Sequence, residues 1–134
     1  MSDITTINPT TGEEISNYNY MSNDEVNKIV DASHNAFLEW RTVSHEERGR
    51  VIKSIGDKLM EYKEELAKLM TEERGKLHSQ SMQEIDLCKA ICDYTAENGV
   101  ASLADDVRDI ESMKKGLVTY QPIGIIYGMQ PWNF

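Results

Sequence analysis

Cys88 and Cys92 stand at i and i+4, a spacing that puts both thiols on one face of a helix and makes half of a tetrahedral metal site. No second cysteine pair and no nearby histidine completes the set, so the two read as core or semi-exposed thiols, with no metal assigned. His34, His45 and His78 form no cluster and have no evident Ser or Cys partner. A His-activated nucleophile needs such a partner, so the three read as surface positions. Gly124 and Gly128 do not complete Gly-x-Gly-x-x-Gly, and no helix follows them, so they read as glycines that let a strand pack closely. The carboxylates Glu61, Glu64, Glu65, Glu72 and Glu73 read as solvated helix surface. Asn133 carries an amide that is neutral at every pH and offers two directional N–H groups. By position alone it is a turn residue at a strand end, and Trp132 beside it is strand-end packing or core.

The elements that must position these residues are legible in part. Ile4–Ile7 and Ile15–Tyr18 flank Asn8-Pro9-Thr10-Thr11-Gly12, which predicts a β-hairpin in which Gly12 takes the positive φ of a bulge. Ser22-x-x-Glu25 is a capping box, with Asp24 adding charge at the positive end of the helix dipole. Val26, Ile29, Val30, Phe37 and Trp40 then recur on one helical face, with an end near Arg41–Val43. A second capping box, Ser44-x-x-Glu47, opens a helix carrying Val51, Ile52, Ile55, Leu59, Tyr62, Leu66 and Leu69 to about Thr71. A bend is allowed near Met60–Tyr62, and Gly75 is the stop. A third helix is predicted from Ser79 to Asn98, with Met82, Ile85, Cys88 or Leu87, Ile91 and Tyr94 inward and Gly99 closing it. Leu103–Ser112 reads as a loop, and Leu117–Tyr120 as a strand that Pro122 interrupts. Ile123–Met129, apolar on both alternate faces, reads as a buried strand. Strands that arrive only at the end of a chain lack sheet partners, and a lone pair is marginal in water. This strand therefore asks for neighbours outside the sequence, which implies a fragment of a larger protein.

The 134 residues fit one domain with a core of its own. A hydrophobic share of 40% and a charged share of 28% do not suggest disorder. A formal charge of −9, with Lys114-Lys115 as the densest basic spot, argues against a nucleic-acid partner. No apolar run approaches the roughly 20 residues needed to cross a bilayer, and the N-terminus has no signal-peptide pattern. Two cysteines placed for a helix fit a reducing cytoplasm.

The ending Pro122-Ile123-Gly124-Ile125-Ile126-Tyr127-Gly128-Met129-Gln130-Pro131-Trp132-Asn133-Phe134 resembles the aldehyde dehydrogenase superfamily, in which a Pro-x-Gly-apolar-apolar strand leads into Pro-Trp-Asn-Phe. Other landmarks agree in order. Ile7-Asn8-Pro9-Thr10-Thr11-Gly12-Glu13 looks like the family's opening hairpin, Ala36-Phe37-Leu38-Glu39-Trp40 like the end of its first helix, and Glu46-Glu47-Arg48 like the start of its second. Glu72-Glu73-Arg74-Gly75-Lys76 looks like its Glu-x-Gly-Lys segment, although Leu77 stands where Pro is usual. Met129-x-Pro131-Trp132-Asn133-Phe134 and Tyr94-Thr95-Ala96-Glu97-Asn98 look most like the succinate-semialdehyde branch.

The resemblance implies an α/β fold: the N-terminal part of a modified Rossmann cofactor domain, with a hairpin, three main helices and terminal strands. Residues 1–115 would be the helical part of that domain and 116–122 the strand toward an oligomerisation sheet. Residues 123–134 would be the first strand of the returning cofactor sheet with its Pro-Trp-Asn-Phe motif, and a catalytic domain is absent. The family oxidises an aldehyde with NAD or NADP through a cysteine thiohemiacetal. Asn133 matches the side-chain donor to the oxyanion, and Met129, Gln130, Pro131 and Trp132 match the segment beside the nicotinamide ribose. No catalytic cysteine, general-base glutamate or adenine-ribose lysine and glutamate can be matched, so the chain alone is expected to be inactive. The partners implied are an aldehyde and, for the full-length enzyme, further copies of the subunit. The alternative is a non-catalytic helical interaction module or the relic of a truncated gene.

Overall fold

The computed structural model describes residues 3–110 and 114–129. The order is β1 (Ile4–Ile7), β2 (Glu14–Tyr18), α1 (Asn23–Trp40), α2 (His45–Glu61), α3 (Lys63–Arg74), α4 (His78–Ser102), β3 (Asp106–Ile110) and β4 (Lys114–Val118). Two compact units share these elements: Met1–Tyr20 with Ser44–Ala104, and Met21–Val43 with Asp105–Phe134.

In the first unit β1 and β2 form the expected antiparallel hairpin, with a register shift at Thr6/Ile7. The turn is built by Asn8, whose side chain accepts the N–H groups of Thr10 and Thr11 at 2.9 and 3.2 Å. Gly12 stands at φ +76°, as the turn requires. Ser44 caps α2 by accepting the Glu47 N–H. Only this half of the expected box forms, because the Glu47 carboxylate turns to Arg50 instead.

The sequence predicts three main helices; the described residues form four. The bend allowed near Met60–Tyr62 is a full break at Tyr62, which has φ −98° and ψ 15° and caps both neighbours. The break re-aims α3 onto α4, where Lys63 meets Asp86 at 2.6 Å and Lys76 pairs with Glu84. Gly75 ends α3 as expected, at φ +67°. It is needed twice over, since a Cβ there would lie 3.1 Å from Pro9 Cγ.

α4 departs most from expectation. It does not stop at Gly99 but runs to Ser102, and Leu103 N–H still donates to the Gly99 carbonyl. Of the residues expected to face inward, Ile85 is buried, but Ile91 and Tyr94 are 56% and 69% exposed, and both alternatives, Cys88 and Leu87, are exposed as well. The face that packs is made of small residues. A Cβ at Gly49 would sit 3.3 Å from the Ala96 carbonyl oxygen, and one at Gly56 would sit 2.8 Å from Cys92 Cβ. α2 and α4 thus approach too closely for large side chains between them. Among the described residues only Gly56, Ala67, Ser81 and Ile85 are buried. Among the described residues Ile85 is the one large aliphatic side chain so buried, and the broader core expected is not formed.

In the second unit the capping box of α1 is complete, with Ser22 accepting from Glu25 N–H and the Glu25 side chain accepting from Ser22. Its apolar stripe is correctly placed on one face, yet Val26, Ile29 and Val30 remain 45–49% exposed. The predicted loop at 103–112 contains β3, which pairs antiparallel with β4 through Val107↔Leu117 and Asp109↔Lys115. Ordinary periodicity misses β3 because its five residues alternate charge with apolar groups on both faces. The strand predicted at Ile123–Met129 is not formed; residues 121–129 carry no ladder. No described helix is long and apolar enough to cross a membrane.

Candidate functional site

The segment 119–129 leads to the motif that the sequence singles out. It is apolar but unsheltered: Ile123 is 90% exposed, Ile126 78% and Met129 80%. Gly124 has φ +126°, and a Cβ there would meet nothing within 4 Å. Its role is therefore conformational, not the close strand packing expected of it. Gly124 and Ile125 line one side of an open groove of about 550 Å³, and Phe37, Trp40 and Val43 from the end of α1 line the other. Met129 is the only member of the candidate cofactor segment among the described residues. Gln130, Pro131, Trp132 and Asn133 lie outside them.

The other candidates fall apart in space. Cys88 is exposed, whereas Cys92 is half-buried against Gly56. Among the described residues no three His, Cys, Asp or Glu side chains come together to hold a metal ion. His34 is exposed and lies 6.3 Å from the Phe37 ring. His78 is exposed and meets Glu64 at 3.0 Å.

The strongest electrostatic feature joins α2 to α4. Lys89 reaches Asp93 on its own helix and Asp57 on α2, the latter at 3.0 Å, and Lys53 of α2 approaches Asp93 at 3.4 Å. The hydrogen bond from Lys89 holds the Asp93 carboxyl below its usual range, and Asp93 followed by Asp57 holds the Lys89 ammonium above its own. At the start of α1, the Ser22 backbone N–H and then its hydroxyl lower the Glu25 carboxyl. Glu46 is lowered first by its own N–H and then by the Ser44 hydroxyl. These are structural ties, not a catalytic constellation.

Sequence reasoning missed one feature. A cavity of about 100 Å³ lies between the start of α2 and the end of α4, lined by His45, Arg48 and Thr95 among apolar residues. Arg48 Nε is buried and has no hydrogen-bond partner among the described residues. His45, expected at the surface, is half-buried in its wall. No local pattern could announce this, because its walls come from residues some fifty positions apart.

Known proteins supply what geometry at the motif does not. The profile of the aldehyde dehydrogenase family matches residues 1–134. A probable succinate-semialdehyde dehydrogenase [NADP(+)] of Synechocystis sp. is 34% identical over 131 residues, covering 98% of this chain and 29% of the relative. The mitochondrial succinate-semialdehyde dehydrogenase of Oryza sativa subsp. japonica is 32% identical, covering 95% of this chain and 24% of the relative. The crystal structure of succinic semialdehyde dehydrogenase from Streptococcus pyogenes in complex with NADP+ superposes with a TM-score of 0.75 at 28% identity, covering 81% of this chain and 24% of that one. The chain thus spans about a quarter of the length of the curated relatives it matches.

Proposed function

We propose, because this chain belongs to the aldehyde dehydrogenase family, that it forms the N-terminal part of the cofactor-binding half of an enzyme that oxidises an aldehyde to the acid with NADP or NAD. Succinate semialdehyde is the favoured substrate. The observation that carries this is the family match along all 134 residues, together with relatives named for that substrate. Residues 1–115 serve as the mainly helical part, 116–122 as the segment toward the oligomerisation sheet, and 123–134 as the segment and motif that reach the cofactor, 123–129 becoming a strand only when the rest of the cofactor sheet is there to pair with it. The full enzyme assembles from copies of itself, takes no nucleic acid or membrane partner, and works in the cytoplasm. The charge of −9 and the free thiols support the last two points.

The nicotinamide cofactor, when bound, accepts the hydride. What the chain fits of it is limited. The positive-φ glycines among the described residues, Gly12, Gly75 and Gly124, are isolated and make no phosphate cradle. Met129 fits a strand end laid beside a ribose, since its side chain is free to be covered. Met129, Gln130, Pro131 and Trp132 are assigned that role. Asn133 is assigned the oxyanion: as a nucleophile adds to the aldehyde carbonyl, negative charge collects on its oxygen. A fixed neutral N–H there stabilises the transition state without a proton transfer.

The test is a chimera in which this chain replaces the matching segment of the Synechocystis relative. NADPH formation from succinate semialdehyde should persist. Asn133→Ala should lower kcat about 10²- to 10³-fold and leave cofactor affinity nearly unchanged. A folded chimera whose kcat ignores that substitution would remove the assignment.

A further inference from the structure

Gly124 holds a backbone conformation that the sequence around it contradicts. The run Ile123-Gly124-Ile125-Ile126-Tyr127 is uncharged and dominated by isoleucine and tyrosine, the composition of a strand. A regular ladder needs φ near −120° to −140°. Gly124 stands at φ +126°, so such a ladder cannot run through it, and residues 121–129 carry none. Packing does not demand a glycine there, because a Cβ at 124 would meet nothing within 4 Å. What glycine alone supplies is the sign of φ: it takes positive and negative values at nearly equal cost, whereas a residue with a side chain is strained on the positive side. The turn also places a neighbour. Gly124 and Ile125 line a groove whose other wall is Phe37, Trp40 and Val43 at the end of α1. Ile125 is the least exposed of the four large apolar side chains in the run. An extended run of this composition with free backbone edges pairs with whatever strand it meets. The turn at Gly124 interrupts the run and lays Ile125 against α1 instead.

We infer that Gly124 is a two-state hinge. At positive φ it parks the run, with Ile125 against the end of α1, while the sheet is incomplete. At negative φ it lets the run enter the cofactor sheet as a strand. The second state rests on the reading of residues 123–134 as part of that sheet; the parked state does not.

Two measurements test the hinge. The first is the crystal structure of the chimera described above, in which the Synechocystis portion supplies the remaining sheet. The expected result is a negative φ at Gly124 inside a strand. A strand at 123–129 with Gly124 still at positive φ would overturn the hinge and leave the reading of the sheet standing; no strand there would overturn both. The second compares Gly124→Ala with Gly99→Ala in the 134-residue chain, with self-association itself as the readout, by sedimentation velocity at matched concentration. Each substitution adds a Cβ in open space, but of the two positions only 124 has positive φ. Alanine disfavours the parked state, so Gly124→Ala should raise the weight-average sedimentation coefficient, while Gly99→Ala should leave the parent's value. A value that Gly124→Ala leaves unchanged or lowers, or that both substitutions raise alike, would overturn the inference.

Discussion

Two glycines on facing helices carry opposite meanings. Gly56 lies where α2 meets α4, and a Cβ there would lie 2.8 Å from Cys92 Cβ and 3.0 Å from Lys89 Cδ. Gly56→Ala should cost about 1–3 kcal/mol, the usual range for overpacking a tight contact. Gly99 lies inside α4 with a right-handed backbone and open space around its missing Cβ. Gly99→Ala should stabilise by about 0.5–1 kcal/mol through helix propensity alone. Urea denaturation of both variants checks the pair. A stabilising Gly56→Ala would refute the close α2–α4 contact. The sequence reads Gly99 as a stop because glycine after an apolar helical run usually is one. What it cannot contain is that α4 has a partner in α2 to hold its last turn.

At the scale of elements, sequence patterns served best where the determining contacts are local, although the Ser44 capping box forms only in half. The Ser22 capping box, the Asn8–Gly12 turn and the Gly75 stop depend on neighbours within a few residues, and all are present. The facing of α4 depends on a partner about forty residues away, and there the large apolar side chains misled. Ile91 and Tyr94 are exposed, while Cys92 and Ala96 make the contact. The α2–α4 interface also carries its own pH dependence. The folded pKa of Asp93 is depressed, so its contribution is present above the unfolded carboxyl value and is lost as pH falls through the folded one. The folded pKa of Lys89 is raised, so its contribution is present below the unfolded ammonium value and is lost as pH rises through the folded one. Solvent screens both groups, so the effect is modest. Asp93→Asn should lower the urea midpoint modestly near neutrality, leave it unchanged at the acid end, and so flatten the acid limb of a plot of midpoint against pH. An acid limb identical to that of the parent would show that the ion pairs are idle.

For the whole molecule the decisive quantity is surface. Among the described residues, large apolar side chains in both units stand in solvent where a folded domain would bury them. They form recognisable apolar faces: Val26, Ile29 and Val30 of α1, Ile91 and Tyr94 of α4, and Ile123, Ile126 and Tyr127 before the motif. Apolar patches on this scale mark surfaces that another body covers. The sequence already pointed there, through a buried-type strand at Ile123–Met129 with no sheet to join. Alone, the chain should self-associate and bind an apolar dye, which sedimentation velocity and dye fluorescence would register. A monodisperse monomer that unfolds cooperatively would favour an independent helical module.

The most direct test of the account mixes the purified chain with the complementary portion of the Synechocystis relative, the part left when the matching segment is removed. NADPH formation from succinate semialdehyde is then followed for each piece and for the mixture. The account predicts that neither piece is active alone and that the mixture forms NADPH. Turnover by the 134-residue chain alone, or an inactive mixture whose two pieces co-elute as one complex, would contradict it.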